Sequence, residues 1–225
     1  MKKIVLSAVV ISALTLTSCN NTNTQQKAET ATQAEQMQTE AEKVQKEEAK
    51  FAYTVAPTSV IEWVGTKPTG KHNGIVNVTE GGVNIENQTI TNGKFIIDMN
   101  TITVLDLAAG DGKEDLEGHL KGTGKEEAED HFFNVKKFPT ATFEFKSFDG
   151  TNVVGDLTIK GITKEVSFPA TVTVTDTEVN IESKAFKINR VDFGVNYASK
   201  SVFGDLKDKF INDEMELVVK AKATK

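Results

Sequence analysis

The chain has 225 residues, with 32 Asp and Glu against 26 Lys and Arg and a formal net charge of −6. That balance leaves no basic footprint for nucleic acid and no general attraction to an anionic membrane face. Cys19 is the only cysteine, which excludes a disulfide framework and a thiolate metal cluster.

At the N-terminus, Lys2-Lys3 precede an apolar run over residues 4–16. About 13 residues diluted by Ser and Thr fall short of the roughly 20 a bilayer span needs, so residues 1–18 read as a signal peptide. Leu16-Thr17-Ser18-Cys19 resembles a bacterial lipobox. That resemblance implies acylation of Cys19, and with it a lipid-anchored protein of the bacterial cell envelope that faces the periplasm. Each buried CH₂ contributes about 0.8 kcal/mol, so two or three acyl chains would hold durably. Residues 19–50 then form the lipidated Cys and a tether, rich in Gln, Thr, Ala, Glu and Lys and without Gly, Pro or aromatics. Its apolar positions are too sparse for a packing face. As a coil of about 31 residues it averages roughly 30 Å end to end.

All 13 Phe, the single Trp, both Tyr, all 16 Gly and all 4 Pro lie from Phe51 onward. Residues 51–225 are therefore expected to form one domain, large enough for a real core. Strands are predicted at 60–64, 74–79, 82–86, 94–99, 140–148, 152–160, 165–175, 178–187 and 213–222 from period-2 alternation. Asn92-Gly93 reads as a type I′ hairpin turn, and Glu80-Gly81-Gly82, Asp149-Gly150 and Lys160-Gly161 as further turns. Phe95, Ile97 and Met99 share a face, as do Val153, Gly155, Leu157 and Ile159. So do Val166, Phe168 and Ala170, and Met215, Leu217, Val219 and Ala221. Ala141, Phe143 and Phe145 lie opposite Thr142, Glu144 and Lys146, and a one-residue slip would bury charge. Parity slips between Ile181 and Phe186, which predicts a bulge near Ser183-Lys184. Helices are predicted only at 112–120 and 125–133. The expected fold is all-β: a closed antiparallel barrel of about eight strands with a short helical excursion, a β-sandwich being the alternative.

Few residues suggest chemistry. His72, His119 and His131 lack the spacing of a metal motif, and a site between His119 and His131 is at most weak. The expectation is no metal, no cofactor and no enzyme, because no Gly-x-Ser-x-Gly elbow, nucleophile–base pair or phosphate loop stands out. Arg190 is the only arginine, and either clamps a local carboxylate or meets the polar head of a ligand.

Six stretches in order then carry a resemblance. They are Val60-Ile61-Glu62-Trp63-Val64-Gly65, Phe95-Ile96-Ile97-Asp98-Met99 and His119-Leu120-Lys121 followed by Phe132-Phe133 and Phe138-Pro139. Val154-Gly155-Asp156-Leu157, Ile188-Asn189-Arg190 and Ile211-Asn212-Asp213 complete the series. Together they resemble the YceI-like family of bacterial lipid-binding proteins. The resemblance implies a lipocalin-like barrel that sequesters or carries one long apolar chain, isoprenoid or fatty-acid-like. Its implied wall is Trp63, Phe95, Ile97, Met99, Phe133, Phe138, Phe143, Phe145, Leu157, Ile159, Phe168 and Phe186. Lys67, His72, His119 and Lys121 are candidate head-group contacts at the pocket mouth, as is Arg190 if it does not clamp a local carboxylate. The implied partners are the lipid and, through Cys19, the membrane; the oligomeric state stays open, a dimer included. Residues 122–131 depart from the family, which has two or three residues there, and are expected to form an exposed, mobile flap. Two rivals stand beside the lipid carrier: a structural barrel whose own Phe residues fill it, and a lipid-modifying enzyme.

Overall fold

The computed structural model describes residues 50–225. The signal peptide, Cys19 and nearly all of the tether lie outside the described residues. The strands are β1 Tyr53–Val55, β2 Val60–Lys67, β3 Gly70–Glu86, β4 Thr89–Val104, β5 Thr140–Phe148, β6 Asn152–Ile159, β7 Ile162–Val174, β8 Glu178–Ser183, β9 Phe186–Asn189 and β10 Glu214–Thr224. Among the described residues one helix, α1 Lys113–Lys121, interrupts them, and short 3-10 turns cover Glu126–Ala128, Arg190–Phe193 and Lys207–Lys209.

Eight of the strands close a ring. The order β10-β2-β3-β4-β5-β6-β7-β8 returns to β10, and every pairing is antiparallel. Closure leaves no long free edge, which answers the aggregation hazard of an exposed strand. β1 lies across one end, with Tyr53 opposite Val83 and Thr54 opposite Thr224. The Tyr53 hydroxyl donates to Thr175 O at 3.0 Å and shuts that end.

β5 runs over residues 140–148 as alternation predicts, with Ala141 and Phe145 buried and Glu144 and Lys146 exposed. The hairpin before it differs. Asn92-Gly93 sits inside β4, opposite Asn84 and Val83, and the chain reverses at Asn87 and Gln88 (φ 51° and 61°). Two residues of positive φ make the I′ geometry there, while Gly93 keeps its place because a Cβ would lie 2.8 Å from Val83 Cγ1. Gly81 and Gly82 likewise mark no turn. They follow a register shift within β3, one of three between β3 and β4 that bend these long strands around the barrel.

Between β8 and β9 the expected bulge is a full break. β8 holds β10 from Lys220 to Thr224 and β9 holds it from Glu214 to Leu217. Ser183 Oγ fills the gap by accepting from Val219 N–H at 2.7 Å. The second predicted helix shrinks to Glu126–Ala128. Its backbone is used elsewhere: Phe133 N–H donates to Leu120 O at 3.1 Å and Val135 N–H to Lys121 O at 2.8 Å, closing the last carbonyls of α1.

Candidate ligand cavity

β2 carries the inner wall of the open end. Ile61, Trp63, Gly65 and Lys67 recur at period two and line a cavity of about 410 Å³. Trp63 lies between Gly74 on β3 and Leu217 on β10. Its indole covers Gly74 so closely that a Cβ there would stand 2.5 Å from the ring, so glycine is required at that point. The indole Nε1 is buried without a hydrogen-bond partner among the described residues. Ile97, Met99 and Ile102 from β4, Leu157 and Ile159 from β6, and Met215 and Leu217 from β10 complete an apolar wall.

The roof comes from outside the strands. Leu116 and Leu120 of α1 face the cavity, and α1 is tied to the end of β4 by Val104 N–H donating to Glu117 Oε1 at 2.9 Å. Beside them His119 Nε2 lies 2.9 Å from His131 Nδ1, so one ring must donate to the other. Tyr197 stacks on His131 at 4.1 Å, and the His119 ring edges meet Phe132 at 5.1 Å and Tyr197 at 4.9 Å. Burial first, and the neighbouring His131 ring second, push His119 below its usual pKa. The 122–131 segment is thus not a free flap. Residues 123–127 are exposed, but Gly122 packs on the Glu129 backbone. Lys160 Nζ, at 7% side-chain exposure, holds Asp130 at 2.8 Å.

The rim is cationic. Its charges are Lys67, Lys71 and Lys209, and His72 lines it beside them, with Asn212 fixed to Thr66 by 2.7 Å and 2.9 Å hydrogen bonds. His72 Nδ1 lies 2.8 Å from Asp106 Oδ2, and Asn73 N–H donates to Oδ1 at 3.0 Å. Burial raises the Asp106 carboxyl, but the bonds from Asn73 and His72 outweigh it and leave its pKa below the usual range.

Arg190 is 1% exposed. It donates through Nη1 to Val195 O at 2.7 Å, Nη2 to Ile211 O at 3.0 Å and Nε to Asn212 O at 3.1 Å. Asp213 Oδ1 stands 3.6 Å from Nη2. Burial pushes the guanidinium pKa down and Asp213 opposes the shift. Arg190 borders the cavity, yet its hydrogen bonds clamp the 195–212 backbone that forms the mouth.

Deeper in the barrel a second space of about 60 Å³ shares Ile61, Ile97, Leu157 and Leu217 with the first. Its walls include Phe95, Phe143, Phe168 and Phe186, with Phe168 stacked on Phe186 at 4.5 Å and Phe143 at 5.8 Å from Phe168. The room that Gly155 leaves is taken by Phe143, since a Cβ there would stand 2.7 Å from Phe143 Cε2.

The residues expected from sequence therefore divide. Trp63, Ile97, Met99, Phe133, Leu157, Ile159, Lys67, His72, His119 and Arg190 line the large cavity. Phe95, Phe143, Phe168 and Phe186 line only the small one, and Phe138 and Phe145 line neither. Phe145 is buried core opposite Gly93 and Gly155, and Phe138 is a half-buried loop residue with Lys137 Nζ 5.2 Å from its ring. Lys121 lies beside Glu117 at 3.9 Å, outside the lining. Sequence reasoning missed Leu116, Tyr197, Lys71, Lys209 and Ile211, of which only Leu116 carries a signal, its i, i+4 spacing with Leu120.

A closed antiparallel barrel with an apolar cavity under an aromatic roof defines the class of small β-barrel binding folds. The chain belongs to the YceI-like domain family, whose match spans residues 20–223. A UPF0312 protein of Staphylococcus aureus is 34% identical over 110 residues, covering 43% of this chain and 56% of that protein. The chain thus spans about half the length of the curated relatives it matches. Among solved structures, a polyisoprenoid binding domain from Saccharophagus degradans superposes with a TM-score of 0.58 at 15% identity, over 78% of this chain and 99% of that one. Burkholderia cenocepacia BcnA gives 0.53 at 22% identity, over 74% and 96%. At these identities the likeness is one of fold.

Proposed function

We propose that the protein is a membrane-tethered, non-catalytic lipid-binding protein that holds one long apolar chain, isoprenoid or fatty-acid-like, inside its barrel. The observation that carries this reading is the cavity of about 410 Å³, apolar along β2, β4, β6 and β10 and bordered by a polar rim. The polyisoprenoid binding named for the Saccharophagus neighbour supports the same ligand class. Affinity would come from the chain, at about 0.8 kcal/mol per buried CH₂, less several kcal/mol for association and ordering. The rim would set orientation. Cys19 would attach the protein to the periplasmic side of the envelope, and residues 19–50 would let the barrel stand off the surface.

The test is to purify the Cys19→Ala protein without detergent and identify extracted lipid by mass spectrometry. A stoichiometric single-chain lipid is expected. Lipid-free protein that also takes up no prenyl or acyl chain would overturn the reading. It would leave the self-filled barrel, which the Phe95, Phe143, Phe168 and Phe186 cluster favours for the deep half alone.

A further inference from the structure

Two properties of the cavity narrow its ligand: its length and the sign of its rim. From Lys67 at the mouth to Ile61 at the constriction is six residues of β2, or roughly 20 Å at about 3.3 Å per residue. An extended chain advances roughly 1.2 Å per bond, as a polypeptide does over its three-bond repeat, so this depth takes about 16 carbons. Volume gives a similar answer. A chain carbon fills about the ~30 Å³ of a liquid water molecule, so the cavity of about 410 Å³ takes about 14. Beyond Ile61, Ile97, Leu157 and Leu217 lies a space of about 60 Å³, walled by Phe95, Phe143, Phe168 and Phe186. A forty-carbon chain would need about 1,200 Å³ on the same scale and does not fit.

The charge at the mouth runs against that of the chain. Although acidic residues outnumber basic ones 32 to 26, the cavity lining has Lys67, Lys71, His72 and Lys209 at its rim and no Asp or Glu among the described residues. No ion pair engages Lys67, Lys71 or Lys209 among the described residues. Asp106 is engaged by His72 and Asn73, and Asp213 by Ser201 and Arg190, while Lys71 also borders a neighbouring groove that holds Asp213, Glu214 and Glu216. Unpaired ammonium groups above an apolar shaft fit an anionic head on a single chain.

Resting on the lipid-binding reading above, we propose that the site is built for a single-chain amphiphile with an anionic head, carboxylate or phosphate, and about 15 chain carbons. The cationic rim holds the head and the phenylalanine wall limits the chain.

Trp63, the only tryptophan, lies in the wall and reports occupancy by its fluorescence. The full chain carrying Cys19→Ala is titrated with palmitate, farnesyl phosphate, hexadecanol and a forty-carbon polyprenyl phosphate. Palmitate or farnesyl phosphate should bind at least tenfold tighter than hexadecanol, and whichever is tighter names the head. Converting Lys67 and Lys209 to Gln should remove roughly that tenfold, or 1.4 kcal/mol, for the anions and leave hexadecanol unchanged. Phe143→Ala opens on the order of 100 Å³ and should shift the preferred acyl chain upward by about three carbons. A Cβ at Gly65 would meet nothing within 4 Å, so Gly65→Phe should fold normally and lose all binding, which keeps the test open if Phe143→Ala is unstable. Hexadecanol equal to both anions, or the forty-carbon probe equal to palmitate, overturns this proposal while sparing the lipid-binding reading. Binding of none of the four overturns both.

Discussion

Replacing Arg190 with Ala removes three hydrogen bonds at once, to the carbonyls of Val195, Ile211 and Asn212. The side chain is 1% exposed, so water does not readily replace it. Each carbonyl left unsatisfied costs about 1–3 kcal/mol, and carbonyls near the mouth regain part of that from solvent. Asp213, 3.6 Å away, loses its counter-charge as well. The expected loss is about 3–5 kcal/mol, the range found when one half of a buried pair is removed. Arg190→Lys should recover only a minor part, because one ammonium cannot reach three carbonyls that diverge around a planar fork. Urea unfolding followed by Trp63 fluorescence gives both values. An Arg190→Ala protein destabilised by less than about 1 kcal/mol, or an Arg190→Lys protein that unfolds with wild type, would refute the clamp and return Arg190 to the role of a ligand contact.

Phe145→Ala should cost about 3–5 kcal/mol and leave the bound chain unchanged, since Phe145 is buried at 8% exposure and lines neither cavity; a changed lipid profile at unchanged stability would contradict its placement. Asp130 is held below the usual carboxyl value of 3.8, first by the hydrogen bond from Lys160. Its contribution is therefore full above that value and fades as pH falls through the lower folded pKa. Wild type should outlast Asp130→Asn in thermal melts at pH 6, and the gap should close at the most acidic pH at which the fold survives. Cys19→Ala should move the protein from membrane to soluble fractions on cell fractionation; retention in the membrane would remove the acyl-anchor proposal.

Strand β5 was legible to the residue because its alternation is unmixed and Pro139 and Asp149-Gly150 bracket it. The Asn92-Gly93 signal misled because it is local. A barrel strand must span the whole wall, and β3 and β4 run on past that point, joined there by Asn84 Nδ2 donating to Asn92 Oδ1 at 3.0 Å. The cavity follows the same division. Residues at period two on the strands, such as Trp63, Ile97, Met99, Leu157 and Ile159, could be placed inside from sequence. Parity says which face a side chain occupies but not how deep, which is why Phe145 was grouped with Ile97 although it lies beyond the constriction. The roof had no such period. Ile211 and Asn212 sit in irregular backbone held by Arg190 and Thr66, contacts between residues distant in sequence that no local pattern encodes.

The division of the barrel into a filled and an unfilled half bears on which reading of the fold is coherent. Cavities left in apolar cores cost about 24 cal/mol per Å³. On that scale a dry void of about 410 Å³ would cost about 10 kcal/mol, comparable with the whole stability of a domain. Water reaching in through the rim lowers the figure, but it then wets Trp63, Ile97, Met99 and Leu157, whose burial the fold otherwise exploits. The deep half shows how this sequence removes such a void. Phe143 occupies the space over Gly155, Phe168 stacks on Phe186, and about 60 Å³ is left. At the open half Gly65 and Ala141 face inward among Trp63, Phe133, Ile, Leu and Met, although a Cβ at Gly65 would meet nothing within 4 Å. A barrel selected only for stability gains from filling that space. One that repeatedly takes up a chain needs the space kept and the filled half beneath it to secure the fold while the site is empty.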